Sequence, residues 1–133
     1  MNNKERILKF LKDVGTYYIA TVDNGKARVR PFGTINLFED KLYFQTGLSK
    51  DVAKQILDNP YVEICGFKDG QWMRLCGEVV LDERIEAQED MLNNYPDLRK
   101  MYTPGDGNTA TFYFKSGKAT FYSFTSNPEE IDI

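Results

Sequence analysis

Two-residue turn signals constrain this chain more than any other feature. Asn24-Gly25 stands between TYYIATV and the run that begins at Ala27. Both central residues of such a turn must reach positive φ, and Asn-Gly does so at least cost. A second hairpin is predicted from YVEICGF to QWMRLCGEVVL, around Lys68, Asp69 and Gly70. Glu39 and Asp40 mark a turn before the strand KLYFQT, and TATFYF and KATFYSF read as two final strands joined at Ser116 and Gly117. Aromatic residues make up 14% of the chain, and they suit pleated, half-buried surfaces.

Helices are inserted between these strands rather than alternating with them. Ile7, Leu8, Leu11 and Val14 recur at helical spacing over Asn3 to Val14, and Gly15 ends the stretch. SKDVAKQILDN reads as a second helix, with Ser49 as its cap, Val52, Ile56 and Leu57 on its apolar side and Pro60 as its stop. Glu83 to Asn94 reads as a third, by propensity and by the spacing of Ile85, Ala87 and Met91. Thr103 to Asn108 is a Gly-rich loop, and the acidic tail from Ser126 to Ile133 is expected to be loose. Six or seven strands in this order predict a mainly β fold, an antiparallel sheet that closes on itself to hide its edges. With 133 residues, one domain spanning 1–133 is expected.

Alternation within strands assigns their faces. After the first hairpin, Ala27, Val29, Ile35 and Leu37 are expected on one side and Arg28, Arg30, Thr34 and Asn36 on the other, with an interruption at Pro31. In QWMRLCGEVVL, Met73, Leu75, Val79 and Leu81 are expected inward, and Trp72, Arg74, Cys76 and Glu78 opposite.

Composition removes several kinds of chemistry. The chain has no histidine, which excludes His metal ligands, His general bases and Ser-His or Cys-His nucleophile pairs. Cys65 and Cys76 match no ligand spacing and read as reduced, partly buried thiols; no metal site is expected. A net charge of −3 argues against nucleic-acid or membrane-surface binding. The N-terminus lacks an apolar signal core and no stretch has membrane-spanning length, so a cytoplasmic protein is expected.

Three local clusters carry chemistry. Lys26, Arg28 and Arg30 share one strand face, an arrangement that repels unless an anion relieves it; Lys26, in the turn, reads as an ordinary surface lysine. Thr46-Gly47-Leu48-Ser49-Lys50 leads into a helix, where free N–H groups, a hydroxyl and an ammonium suit a phosphate. Taken alone, this is equally a helix cap with an incidental lysine beside Asp51. Trp72 and Arg74 also share a face, where a core or subunit contact is the ordinary reading.

The ordered set IATVDNGKARVRPFGTI, KLYFQTGLSKDVAKQILDNPYVEI and WMRLCGEV resembles the pyridoxamine 5′-phosphate oxidase-like family of FMN-binding split barrels, over about Thr16 to Val80. The resemblance implies a six-stranded antiparallel split β-barrel and a homodimer with FMN between its subunits. Arg28, Ser49 and Lys50 match positions that hold the phosphate, with Lys54 a second contact. Val29, Arg30 and Pro31 match the strand along the isoalloxazine ring, and Gln45 and Thr46 match the strand end at the ring's pyrimidine edge or the ribityl chain. Trp72 and Arg74 match an approach from the other subunit. The implied activity is FMN-dependent oxidation or reduction of a small molecule; a non-catalytic flavin-binding or redox-sensing module is the alternative, since no acid-base residue stands out. True pyridoxamine 5′-phosphate oxidases carry a C-terminal substrate site with Arg and His, which argues against vitamin B6 oxidation here, and the lack of histidine likewise argues against heme.

Overall fold

The structure, a computed structural model, describes residues 1–133. Helix α1 (Asn3–Val14) is capped by Asn2, whose side chain accepts the Glu5 N–H while the Glu5 carboxylate accepts the Asn2 N–H. Strands β1 (Tyr17–Asp23) and β2 (Lys26–Phe32) form the expected hairpin, with Asn24 at φ 50° and Gly25 at φ 78°. The same positive-φ pair joins β5 (Tyr61–Lys68) to β6 (Gln71–Asp82) through Asp69 and Gly70. Between β3 (Asn36–Phe38) and β4 (Lys41–Gly47) the turn uses Glu39 and Asp40, at φ 49° and 61°, with no glycine. Lys4 steadies that turn, donating from Nζ to the Asp40 carbonyl at 2.6 Å.

Helices α2 (Asp51–Asp58) and α3 (Ile85–Asn94), a 3-10 turn (Pro96–Lys100) and strands β7 (Thr109–Ser123) and β8 (Glu129–Asp132) complete the chain. All pairings are antiparallel, in the order β2-β1-β5-β6-β7-β4-β3, with β8 added on β7. The two end strands β2 and β3 do not pair, so the sheet curls into an open, split barrel. Its interior holds Ile7 and Leu11 of α1, Val52, Ala53 and Ile56 of α2, and the inward side chains of the strands. Strand β4 is buried on both sides: Leu42 and Phe44 enter this core, while Tyr43 packs outward against Ala87 and Met91 of α3. No helix is long and apolar enough to cross a membrane.

Several sequence expectations need correction. The two final strands are one, β7, which pairs along all of β6. Gly117 is therefore no turn residue. It lies opposite Gly77, and a Cβ on Gly77 would stand 2.0 Å from the Ser116 carbonyl oxygen, so the two backbones meet where only glycine fits. A register shift follows at Glu78/Val79; beyond it Leu81 still packs, half-buried, against the core, as expected, while Asp82 is buried on the outer side beside Tyr43. The acidic tail is not loose throughout, because Glu129–Asp132 pairs with β7. The alternation from Ala27 to Leu37 breaks after Phe32, and Ile35 and Asn36 are both buried. Helix α3 begins at Ile85 rather than Glu83, and both Ile85 and Leu57 are exposed. Cys65 is half-buried, but Cys76 is exposed.

Candidate functional site

The end of β4 meets the start of α2 at the open end of the barrel. Gly47 is tightly held there: an added Cβ would lie 3.0 Å from the Tyr102 hydroxyl. The Leu48 N–H donates to the Asn108 carbonyl at 2.8 Å, and the Ser49 N–H donates to Asn108 Oδ1 at 3.0 Å. Ser49 is thus not the cap expected of it. Lys50 occupies that position, and no side chain caps α2. The first-turn N–H groups, which a helix cannot pair internally, are left for another partner.

Gln45 lies beside this helix start. Its backbone is engaged on both sides by the Thr34 hydroxyl, at 2.9 Å and 3.4 Å. Its side chain is only 6% exposed, yet neither Nε2 nor Oε1 finds a partner within the protein. Leaving such atoms unpaired costs about 1–3 kcal/mol. The amide borders a cavity of about 190 Å³, together with Pro31, Thr34, Thr46, Lys50 and Tyr102.

The arginines gather on the other flank of α2. Spacing of two puts Arg28 and Arg30 on the β2 face that continues the barrel interior, opposite Thr21 and Ile19. Arg30 donates to the Ile19 carbonyl at 3.2 Å, to Thr21 Oγ1 at 2.8 Å and to Gln55 Oε1 of α2 at 2.8 Å. Burial first, and then the neighbouring Arg28 charge, lower its pKa from the ordinary arginine value. Arg28 pairs with Asp23 at 3.2 Å. Lys54 borders a larger groove of about 670 Å³, where Asp23, Asp51 and Asp58 outnumber it. The start of α2 is the ridge between groove and cavity, with Asp51 on one side and Lys50 on the other.

One chain therefore brings Pro31, Gln45, Thr46 and Lys50 together in the cavity, with Ser49 in the adjoining loop. Arg28, Arg30 and Lys54 stand across the ridge, and both arginines already have internal partners. Trp72 and Arg74 lie elsewhere, on the outer face of β6. There Trp72 stacks on Tyr122 with ring centroids 5.2 Å apart, and Arg74 donates to the Tyr122 hydroxyl at 2.8 Å. Val29, 68% exposed, shares that outer face across β2, β1, β5 and β6. Sequence reasoning missed Thr34, Tyr102 and Asn108. The Gly-rich loop ending at Asn108 was visible, but nothing local linked it to Ser49.

An antiparallel barrel left open along one seam, with an uncapped helix and an unpartnered amide at one end, defines a split barrel. Residues 4–97 match the pyridoxamine 5′-phosphate oxidase family model, and the chain belongs to this pyridoxamine 5′-phosphate oxidase-like family. A NimC/NimA family protein of Clostridium acetobutylicum is 42% identical, with a TM-score of 0.95, over 100% of this chain and 95% of that one. A pyridoxamine 5′-phosphate oxidase-related, FMN-binding protein of Nostoc punctiforme shares the fold at 16% identity and a TM-score of 0.59, covering 97% and 93% of the two chains. The heme storage protein HutZ of Vibrio cholerae also shares it, at 15% identity and a TM-score of 0.63, covering 86% and 89%. The fold alone thus does not separate flavin from heme. No curated protein matches the chain.

Proposed function

We propose that the chain binds FMN at the open end of the barrel and works as an FMN-dependent oxidoreductase on a small molecule. The observation that carries this reading is the Gln45 amide, buried without a partner beside Thr46 and Lys50. A side-chain amide offers one donor edge and one acceptor, the complement of a heterocycle that presents N–H beside C=O. The uncapped start of α2, with the Ser49 hydroxyl and the Lys50 ammonium, suits a terminal phosphate. Lys54 and Arg28 add positive charge from across the ridge, although the acids around them reduce it. Arg30, bonded to Gln55, holds α2 against β1 and β2 as well as standing beside the ring position that the family resemblance implies. The chemistry supplied by bound FMN is electron or hydride transfer; the protein's own part is to bind, orient and shield it.

A homodimer belongs to this reading. Tyr18 (52%), Val29 (68%) and Phe67 (59%) are exposed on one sheet face, apolar side chains that a subunit contact would cover. A monomeric mass by light scattering at micromolar concentration would contradict it.

The test is to denature the purified protein and identify what it releases. FMN is expected; heme, which HutZ stores, would overturn the reading. Lys50→Ala and Arg28→Ala should each weaken FMN by about tenfold, the worth of one charge-assisted hydrogen bond, and leave riboflavin nearly unchanged. Equal losses for both ligands would mean that the phosphate lies elsewhere. Steady turnover with a nicotinamide donor and an electron acceptor separates an enzyme from a flavin-binding module without catalysis.

A further inference from the structure

Asp106 does not border the cavity, yet it organises the loop that sets where α2 begins. Its Oδ2 accepts the Thr103 N–H at 2.9 Å. Its Oδ1 accepts the Asn108 N–H at 2.8 Å, the Thr109 N–H at 2.7 Å and the Thr109 hydroxyl at 3.0 Å. The Asp106 N–H in turn donates to the Thr103 carbonyl at 3.0 Å. Gly105 and Gly107, at φ 78° and 76°, supply the tight bends that let one carboxylate reach so many donors. The loop from Thr103 to Thr109 is closed on itself.

Asn108 carries that rigidity to the helix. With its own N–H fixed, it presents its carbonyl to Leu48 and its Oδ1 to Ser49. The Lys50 N–H donates to Gly47 at 3.0 Å. Every lead-in amide from Leu48 to Lys50 is therefore committed, and the next ones, in the first turn of α2, are those left free. No side chain of α2 or its lead-in does this work, since Lys50 makes no capping bond. That a ligand occupies this end is carried separately by Gln45, 6% exposed and unpartnered on the cavity that Lys50 also borders.

The geometry points to Asp106 and Asn108 as positioning residues for anion recognition: the Thr103–Thr109 loop fixes the start of α2 where a nucleotide's terminal phosphate is held. This rests on the flavin-phosphate reading above and extends it to a loop some sixty residues further along the chain (Ser49 and Asn108 are 59 positions apart). Neither residue touches the phosphate; they act through the Leu48 and Ser49 backbone.

The experiment compares dissociation constants for FMN and riboflavin, read from flavin fluorescence, in the full-length protein and its variants. Asn108→Ala deletes one acceptor and is expected to weaken FMN about tenfold while riboflavin stays within about twofold. Asp106→Ala should do the same or more. Asp106→Asn, which keeps the Oδ1 acceptor, should recover part of the loss. If Asp106→Ala fails to fold, Asn108→Ala decides, with amide exchange at Ser49 as a second readout that must quicken. Equal weakening of both flavins would make the loop a general structural support and overturn the inference. An unchanged FMN-to-riboflavin ratio in Asn108→Ala, while Lys50→Ala loses it, would overturn the inference and spare the phosphate reading. A wild-type protein that does not distinguish FMN from riboflavin would overturn both.

Discussion

Tyr43 and Gln45 lie two residues apart on the same face of β4, both buried, and their polar atoms meet opposite fates. The Tyr43 hydroxyl donates to Asp82 at 2.7 Å. Asp82 accepts as well from the Arg84 N–H at 3.1 Å and from Arg84 Nη2 at 3.0 Å, and Arg84 reaches on to Glu39 at 2.5 Å. The chain closes that network completely and ties the β3–β4 turn to the end of β6. Gln45, one step further along the strand, has nothing. Native interiors leave few such atoms, so the difference separates a polar group that the fold itself satisfies from one that, in the flavin reading proposed above, the ligand satisfies.

The contrast breaks first at Asp82. Asp82→Ala leaves the buried Tyr43 hydroxyl and part of Arg84 without an acceptor, and should cost about 2–3 kcal/mol in urea denaturation. It should leave the ratio of FMN to riboflavin affinity unchanged. Burial pushes the Asp82 carboxyl up, but the bonds from Arg84 and Tyr43 outweigh it and the net shift is downward. Its contribution is accordingly present above the ordinary carboxylate pKa and is lost as pH falls through the lowered one. A variant as stable as wild type would mean that the network is decorative and the comparison empty.

Gln45 should respond with the opposite sign. Gln45→Leu removes two unpaired buried atoms at nearly constant volume, and the ligand-free protein should gain up to about 1 kcal/mol. FMN affinity should fall about tenfold, the worth of one hydrogen bond to the ligand. Activity traded for stability at one position is the signature of a binding residue. A loss of stability in Gln45→Leu would show that the amide has a structural partner after all.

How much of this was legible in the sequence follows the range of each interaction. The Asn24-Gly25 and Asp69-Gly70 turns are local, and the register they imply is the register found. Helix α1 carries its own capping box and its own stop, and its bounds match the expectation. Ser116-Gly117 misled because glycine serves equally for a turn and for a close crossing, and only the pairing of β7 with β6 decides between them. Spacing put Arg28 and Arg30 on one face, but their partners Asp23 and Gln55 depend on how the hairpin and α2 pack. The Ser49 cap failed for a similar reason: its amide is taken by Asn108, which no pattern near Ser49 announces. That Gln45 is buried and unpartnered is a property of every surrounding atom, and no strand pattern records it.

The smallest effect belongs to a third polar residue, Asp106, which resembles Asp82 in being fully engaged but sits at the surface. The Thr103 N–H bond, joined by those of Thr109 and Asn108 and opposed by slight burial, brings its carboxyl down to about 2. A depressed carboxylate stabilises the fold above its unfolded pKa, near 4, and loses that contribution as pH falls toward the folded value. Because the group is exposed, solvent screening should hold the effect below about 1 kcal/mol. Melting temperatures of wild type and Asp106→Asn should therefore differ by a few degrees at pH 6, converge between about pH 4 and 2, and coincide below that. Asp82→Ala should by contrast remain the less stable protein through most of that interval, because a buried Tyr43 hydroxyl without an acceptor is penalised at any pH. If the Asp106→Asn gap instead persists unchanged down to pH 2, it does not come from ionisation of the carboxylate, and the loop's grip on α2 would not depend on that charge; no gap at any pH would mean that Gly105 and Gly107 geometry holds the loop without it.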